Sequence, residues 1–96
     1  IHRGADERLG VRWQKDRGSG YEDVDMSWWS AVLTLSKDGE ALLTVPCTCT
    51  YYGLCAASLT ASQTSAIPVS AGEWRIDAHG PDGEGELMGW GYFEAV

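Results

Sequence analysis

Apolar and polar residues alternate along most of this chain with a period of two, the spacing at which successive side chains of an extended strand point to opposite faces. Leu9, Val11 and Trp13 alternate with Gly10, Arg12 and Gln14, which predicts a half-buried strand broken at Arg17-Gly18-Ser19-Gly20. An acidic connection follows, Tyr21-Glu22-Asp23-Val24-Asp25, and the alternation resumes from Trp28 to Ser36 with Trp29, Ala31, Leu33 and Leu35 on one face. Lys37-Asp38-Gly39-Glu40 predicts a tight hairpin, because Asp and Gly accept the positive φ that such turns require. The return strand sets Ala41, Leu43, Val45, Cys47 and Cys49 on one face and Leu42, Thr44, Pro46, Thr48 and Thr50 on the other. Pro46 has no amide hydrogen, so the strand is expected to be an edge there or to carry a bulge.

Thr50-Tyr51-Tyr52-Gly53 reads as a turn into a strand from Leu54 to Thr60. Residues 60–66 are too polar for a core, and residues 61–66 could form a helical turn; Ile67-Pro68-Val69 reads as a short extended piece and Ala71-Gly72 as a turn. Trp74, Ile76 and Ala78 then alternate with Glu73, Arg75, Asp77 and His79, and Gly80-Pro81-Asp82-Gly83-Glu84-Gly85 forms an exposed loop. The last strand places Met88, Trp90 and Tyr92 on one side and Leu87, Gly89, Gly91 and Phe93 on the other, the glycines leaving room for a close neighbour. Short strands, frequent turns and no amphipathic helix predict an all-β fold: one domain over residues 1–96, an antiparallel β-sandwich or barrel of about 6–7 short strands. Its expected core holds Trp13, Leu33, Leu43, Val45, Trp74, Ile76 and Trp90.

Composition adds the sign of the surface. Net charge is −7 over 96 residues, unevenly spread. Residues 1–17 carry five bases against three acids, a balance of +2, and the remainder carries eleven acids against Lys37 and Arg75, a balance of −9. Such a surface repels phosphate backbones, which argues against direct nucleic-acid binding and suits a basic protein partner. No apolar run approaches the roughly 18 residues that cross a bilayer, so no membrane partner is expected. Three cysteines do not make a disulfide framework, and the reading that follows is a reducing, cytoplasmic setting.

Candidate chemistry is sparse. Cys47, Cys49 and Cys55 read as buried apolar residues, with a Cys49–Cys55 cross-strand disulfide and a zinc site as alternatives. His79 and Asp82 could orient a general base, but no nucleophile with a recognisable surround accompanies them; no catalytic residue, metal site or cofactor is expected, and the chain reads as a binding protein rather than an enzyme. The acids cluster in two segments, Glu22-Asp23-Val24-Asp25 and Asp82-Gly83-Glu84-Gly85-Glu86, as solvated charge, as carboxylates spaced for Ca²⁺, or as a surface facing a partner. Trp28 and Trp29 cannot both face one side of a strand: either one of them, or Trp90 opposite Phe93, is left partly exposed as an apolar anchor, or the sheet is packed on both faces or covered at an edge by a loop. The partner-binding residues expected are therefore Glu22, Asp23, Asp25, Trp28, Asp82, Glu84 and Glu86.

The stretch from Thr44 to Ile76 resembles the competence protein J family, small inhibitors of a DNA-entry nuclease. The matching residues are Val45-Pro46-Cys47-Thr48-Cys49, the turn glycine Gly53, Ser58-Leu59, and Val69-Ser70-Ala71-Gly72-Glu73-Trp74-Arg75-Ile76. Cys47 stands where that family has an aromatic residue, and Ser70 where it has proline. The resemblance covers about a third of the chain. It implies a β-sandwich and an inhibitory, protein-binding role, and maps no site residue. Together with the charge it points to a small acidic inhibitor whose loops fill the basic cleft of a nuclease or nucleic-acid-handling complex. The alternatives are a structural or accessory β module self-associating through its edge strands and, more remotely, a metal-dependent enzyme.

Overall fold

The structure, a computed structural model, describes residues 1–96. In chain order its elements are β1 (Glu7–Arg12), β2 (Gln14–Asp16), β3 (Tyr21–Asp23), β4 (Ser30–Lys37), β5 (Glu40–Cys49), β6 (Leu54–Leu59), α1 (Ala61–Ser65), β7 (Ala71–His79) and β8 (Gly85–Glu94). Six strands form one antiparallel sheet in the order β1-β6-β5-β4-β7-β8, and β2 pairs with β3 in a separate hairpin. The expected all-β antiparallel class is what the chain adopts. The sheet curls until its two edges, β1 and β8, meet without a hydrogen-bonded ladder between them.

β4 is the centre of the fold. Ala31, Leu33 and Leu35 are buried on its inner face, as the alternation requires, and stand opposite Ala78, Ile76 and Trp74 of β7. On the other flank they face Cys47, Val45 and Leu43 of β5. The β4–β5 turn is the predicted one: Asp38 has φ 52° and Gly39 φ 82°, two consecutive left-handed residues of the kind that match hairpin twist. A bulge between Leu35 and Ser36 leaves Leu42 unpaired and sets Ala41 opposite Ser36, so Ala41 is exposed rather than on the core face. Pro46 stands opposite Val32, and β5 meets β6 only at Thr48–Ala56 and Cys49–Cys55. At Pro46, therefore, β5 has no neighbour on its other side, and the missing amide leaves no ladder bond unmade.

Where β5 and β6 part, α1 and Ile67 lie beside Leu42 and Leu43, with a shallow groove between them. Thr60 caps the helix: its hydroxyl accepts from the Gln63 amide while the Gln63 side chain accepts from the Thr60 amide. Residues 60–66 stay out of the apolar core, as their polarity suggests, but one of them, Thr64, is buried. Thr64 is fully buried because its hydroxyl donates to the Ala5 carbonyl at 2.8 Å and accepts from the Gly4 amide at 3.1 Å. Met26, in the β3–β4 connection, is fully buried and is a further core residue the alternation does not reveal. Ala71 and Gly72, expected as a turn, begin β7.

The chain ends are joined. The Val96 amide donates to the Ile1 carbonyl and the Arg3 amide to the Val96 carbonyl, each at 2.9 Å. The Arg3 guanidinium donates to the carbonyls of Ile67, Val69 and Ala95 at 3.2, 2.6 and 3.0 Å. This arginine is a structural clamp.

On β8 the structure departs most from the expected core. Phe93 is buried, but Trp90 is 61% exposed. Of the other expected core residues, Leu33, Val45 and Ile76 are buried, and Trp13, Leu43 and Trp74 are half-buried. A bulge between Ile76 and Asp77 leaves Met88 without a partner, so Leu87 shares the outer face with Trp90 and Tyr92. The inner face at this level belongs to Trp74. Its ring covers Gly89 and Gly91, where added Cβ atoms would stand 3.3 Å and 2.8 Å from it, and the Cβ added at Gly89 would also stand 2.9 Å from Val11 of β1. Gly91→Val should displace the indole and lower unfolding stability by about 1–3 kcal/mol in urea titration; an unchanged midpoint would contradict this packing.

Candidate protein interface

The two acidic segments differ in electrostatic state. Glu22 and Asp23 lie in β3, a strand rather than the expected loop. There they meet bases of the N-terminal segment: Arg12 contacts Asp23 at 2.8 Å and Arg17 contacts Glu22 at 2.5 Å. The Gln14 amide donates to the other Asp23 oxygen at 2.9 Å. Hydrogen bonds from Gln14 and then Arg12 hold the Asp23 carboxyl below the usual carboxylate range. Asp25 is held low too, by the Ser27 hydroxyl and amide. Much of the negative charge of this segment is thus matched within the chain.

The segment from Asp82 to Glu86 has no such match. It forms the β7–β8 turn and the start of β8, is exposed throughout, and none of its carboxylates has a basic partner within ion-pair distance. Gly80, at its base, lies against Trp29: a Cβ there would stand 3.1 Å from the ring. Trp29 packs edge-on to Trp13 with ring centroids 5.6 Å apart. The neighbouring Trp28 is 80% exposed, the outward member of the tryptophan pair. The structure therefore brings the second acidic segment beside the Trp28–Trp29 pair, while Glu22 and Asp23 are tied into the β2–β3 hairpin.

A further set of residues belongs to the same region. Along the outer face of β8, Leu87, Trp90 and Tyr92 are 50%, 61% and 75% exposed. Trp90 and Tyr92 meet edge-on at 5.9 Å between centroids. Across β7 they face Asp77, Arg75 and Glu73 respectively. Arg75 is bound by both oxygens of Asp77, at 2.7 and 2.8 Å, which leaves Glu73 and, further along β8, Glu94 unmatched. Ser36, Glu73, Trp74, Arg75, Leu87 and Trp90 line a shallow groove of about 250 Å³ on this face. The sequence holds a signal for this row: two glycines on one side of β8 mark the side closed by a large neighbour, which leaves Trp90 and Tyr92 on the other.

The remaining chemical candidates do not assemble a reaction centre. His79 ends β7, exposed. The cysteines have no histidine or carboxylate set around them in metal-holding geometry. Burial and the nearby Cys49 push the Cys47 thiol up to about 11, and burial raises Cys55 further. Thiols so placed stay protonated near neutrality and are poor nucleophiles.

In comparisons with known proteins, no family model matches this chain and no curated protein matches it in sequence. The likeness of residues 44–76 to competence protein J thus rests on those residues alone.

The depressed carboxyls give the β2–β3 hairpin a pH dependence of definite sign. A carboxylate with a lowered folded-state pKa contributes fully above its unfolded value and loses that contribution as pH falls through the folded one. Protection factors of the β2 and β3 amides, corrected for the intrinsic pH dependence of exchange, should therefore be steady above about pH 4 and fall below it, ahead of β4 and β7. A uniform loss of protection across all strands would contradict a hairpin held by the Asp23 pairings.

Proposed function

We propose that this chain is a small acidic protein-binding inhibitor that blocks a nuclease or nucleic-acid-handling protein by occupying its basic cleft. The observation that carries the reading is the row Leu87–Trp90–Tyr92, exposed on β8 beside carboxylates that form no ion pair within the chain. Exposed aromatic rows with charged surrounds are characteristic of binding surfaces, where aromatics supply desolvated anchors and charge supplies approach and orientation. Asp82, Glu84 and Glu86 would meet the partner's basic groups, with Trp28 at the border. Glu22 and Asp23 would add less, since their charge is already matched by Arg17 and Arg12, and Asp25 is hydrogen-bonded to Ser27. The competence protein J resemblance supplies the class of partner, a DNA-entry nuclease.

A second reading has an observation of its own. β8 is an edge strand carrying exposed apolar residues, and such an edge can pair with another copy. Self-association would then join β8 of two copies through their backbones, and sedimentation at rising protein concentration distinguishes it.

The test is inhibition of a DNA-entry nuclease, read as plasmid degradation against inhibitor concentration. Trp90→Ser should weaken inhibition roughly 30-fold, the size of a hot-spot loss. Glu84→Lys with Glu86→Lys should slow association, and the wild-type on-rate should fall as salt rises. Both variants should keep the wild-type circular dichroism, because the substituted side chains are exposed. No inhibition by the wild-type chain, at low salt and in excess, would sink the proposal.

A further inference from the structure

Cys49 and Cys55 are direct partners in the antiparallel register of β5 and β6. The next pair inward is joined by hydrogen bonds: the Thr50 amide donates to the Leu54 carbonyl at 2.9 Å, and the Leu54 amide donates to the Thr50 hydroxyl at 3.2 Å. Hydrogen-bonded and non-bonded pairs alternate along such a ladder, so Cys49 and Cys55 occupy a non-bonded site, where Cα atoms approach to about 4.5 Å. That separation lies within the range a disulfide spans, and both side chains point to the inner face. Their sulfur atoms are 2.6 Å apart. Cys47 has no comparable partner, because the residue opposite it on β4 is Ala31.

We propose that Cys49 and Cys55 are a disulfide-forming pair, a modification site at which oxidation fastens β5 to β6. The oxidant is a small-molecule disulfide such as oxidised glutathione. Cys49, the less buried of the two, loses its proton and attacks one oxidant sulfur, and the first glutathione thiol leaves. Cys55 then loses its proton and attacks Cys49, expelling the second. Two S–H bonds are broken, one S–S bond is formed, and the two electrons and two protons depart on two glutathione molecules. Burial disfavours the Cys55 thiolate, which makes the second displacement the slow step.

The place gives the bond its effect. The β5–β6 ladder is the narrow junction between β1–β6 and the rest of the sheet, limited to Thr48–Ala56 and Cys49–Cys55. A covalent link there closes a short loop and removes freedom from the unfolded chain, which raises stability even though short loops gain least.

The test treats the reduced full-length chain with excess oxidised glutathione, then alkylates it under denaturing conditions. The expected product has lost the mass of two hydrogens, takes one alkyl group at Cys47, and resists fragmentation between residues 49 and 55. Its thermal midpoint should rise by roughly 5–10 °C and return on reduction. Cys47→Ala should leave this behaviour intact, and Cys49→Ala should abolish the mass loss. A persistent glutathione adduct, a bond that includes Cys47, or an unchanged mass would each overturn the assignment.

Discussion

The indole of Trp74 lies across Gly89 and Gly91, and the arrangement of the whole sheet follows from that contact. With no side chains at those positions, β8 can hold its inner face against a ring that a Cβ would displace. Val11 reaches Gly89 from β1, so the outermost strands of the six-stranded sheet come together there without sharing a ladder. The curl encloses Leu33, Leu35 and Ile76, which a flat sheet would leave open on one side. The same constraint decides the outer surface. With glycine on the inner side of β8, its bulk at Trp90 and Tyr92 stands outward. In this domain the packing of the core and the exposure of the aromatic row are two sides of one strand.

Charge reinforces the asymmetry. Three of the five bases before residue 18 are spent on the chain itself: Arg3 on three carbonyls, Arg12 on Asp23, Arg17 on Glu22. The acids of residues 82–86, with Glu73 and Glu94, face solvent without a counterpart. The net negative charge is therefore expressed most strongly around β8, where the apolar row also lies. A basic cleft would find there both long-range attraction and groups to desolvate.

Much of the fold was legible in the sequence because a period of two is a local signal. The inner face of β4, the Asp38-Gly39 turn, the local edge at Pro46 and the room left by the β8 glycines all follow from side-chain alternation and backbone chemistry. What alternation cannot carry is a change of phase. The bulges at Leu42 and Met88 each shift the register by one residue, which turned Ala41 outward and put Leu87 on the outer face. Trp90 was misassigned for another reason. Size and hydrophobicity suggest burial, but the glycines across the strand, not the tryptophan, mark the packed side. Thr64 and Met26 owe their burial to contacts distant in sequence, with Ala5 and with the Thr50 carbonyl, whose partners no local pattern names. For the candidate interface, the acids and Trp28 could be read directly, but the neutralisation of Glu22 and Asp23 required the hairpin that brings Arg12 and Arg17 to them.

The central claim is that a protein partner is met on the outer face of β8 and the turn before it. Hydrogen–deuterium exchange of the chain, free and in complex with a DNA-entry nuclease, addresses it most directly. The account predicts that protection on binding is concentrated in residues 82–94, with a smaller effect around Trp28 and no change in β1 or β6. Protection centred on Arg3 to Arg17, with residues 82–94 unaltered, would contradict it.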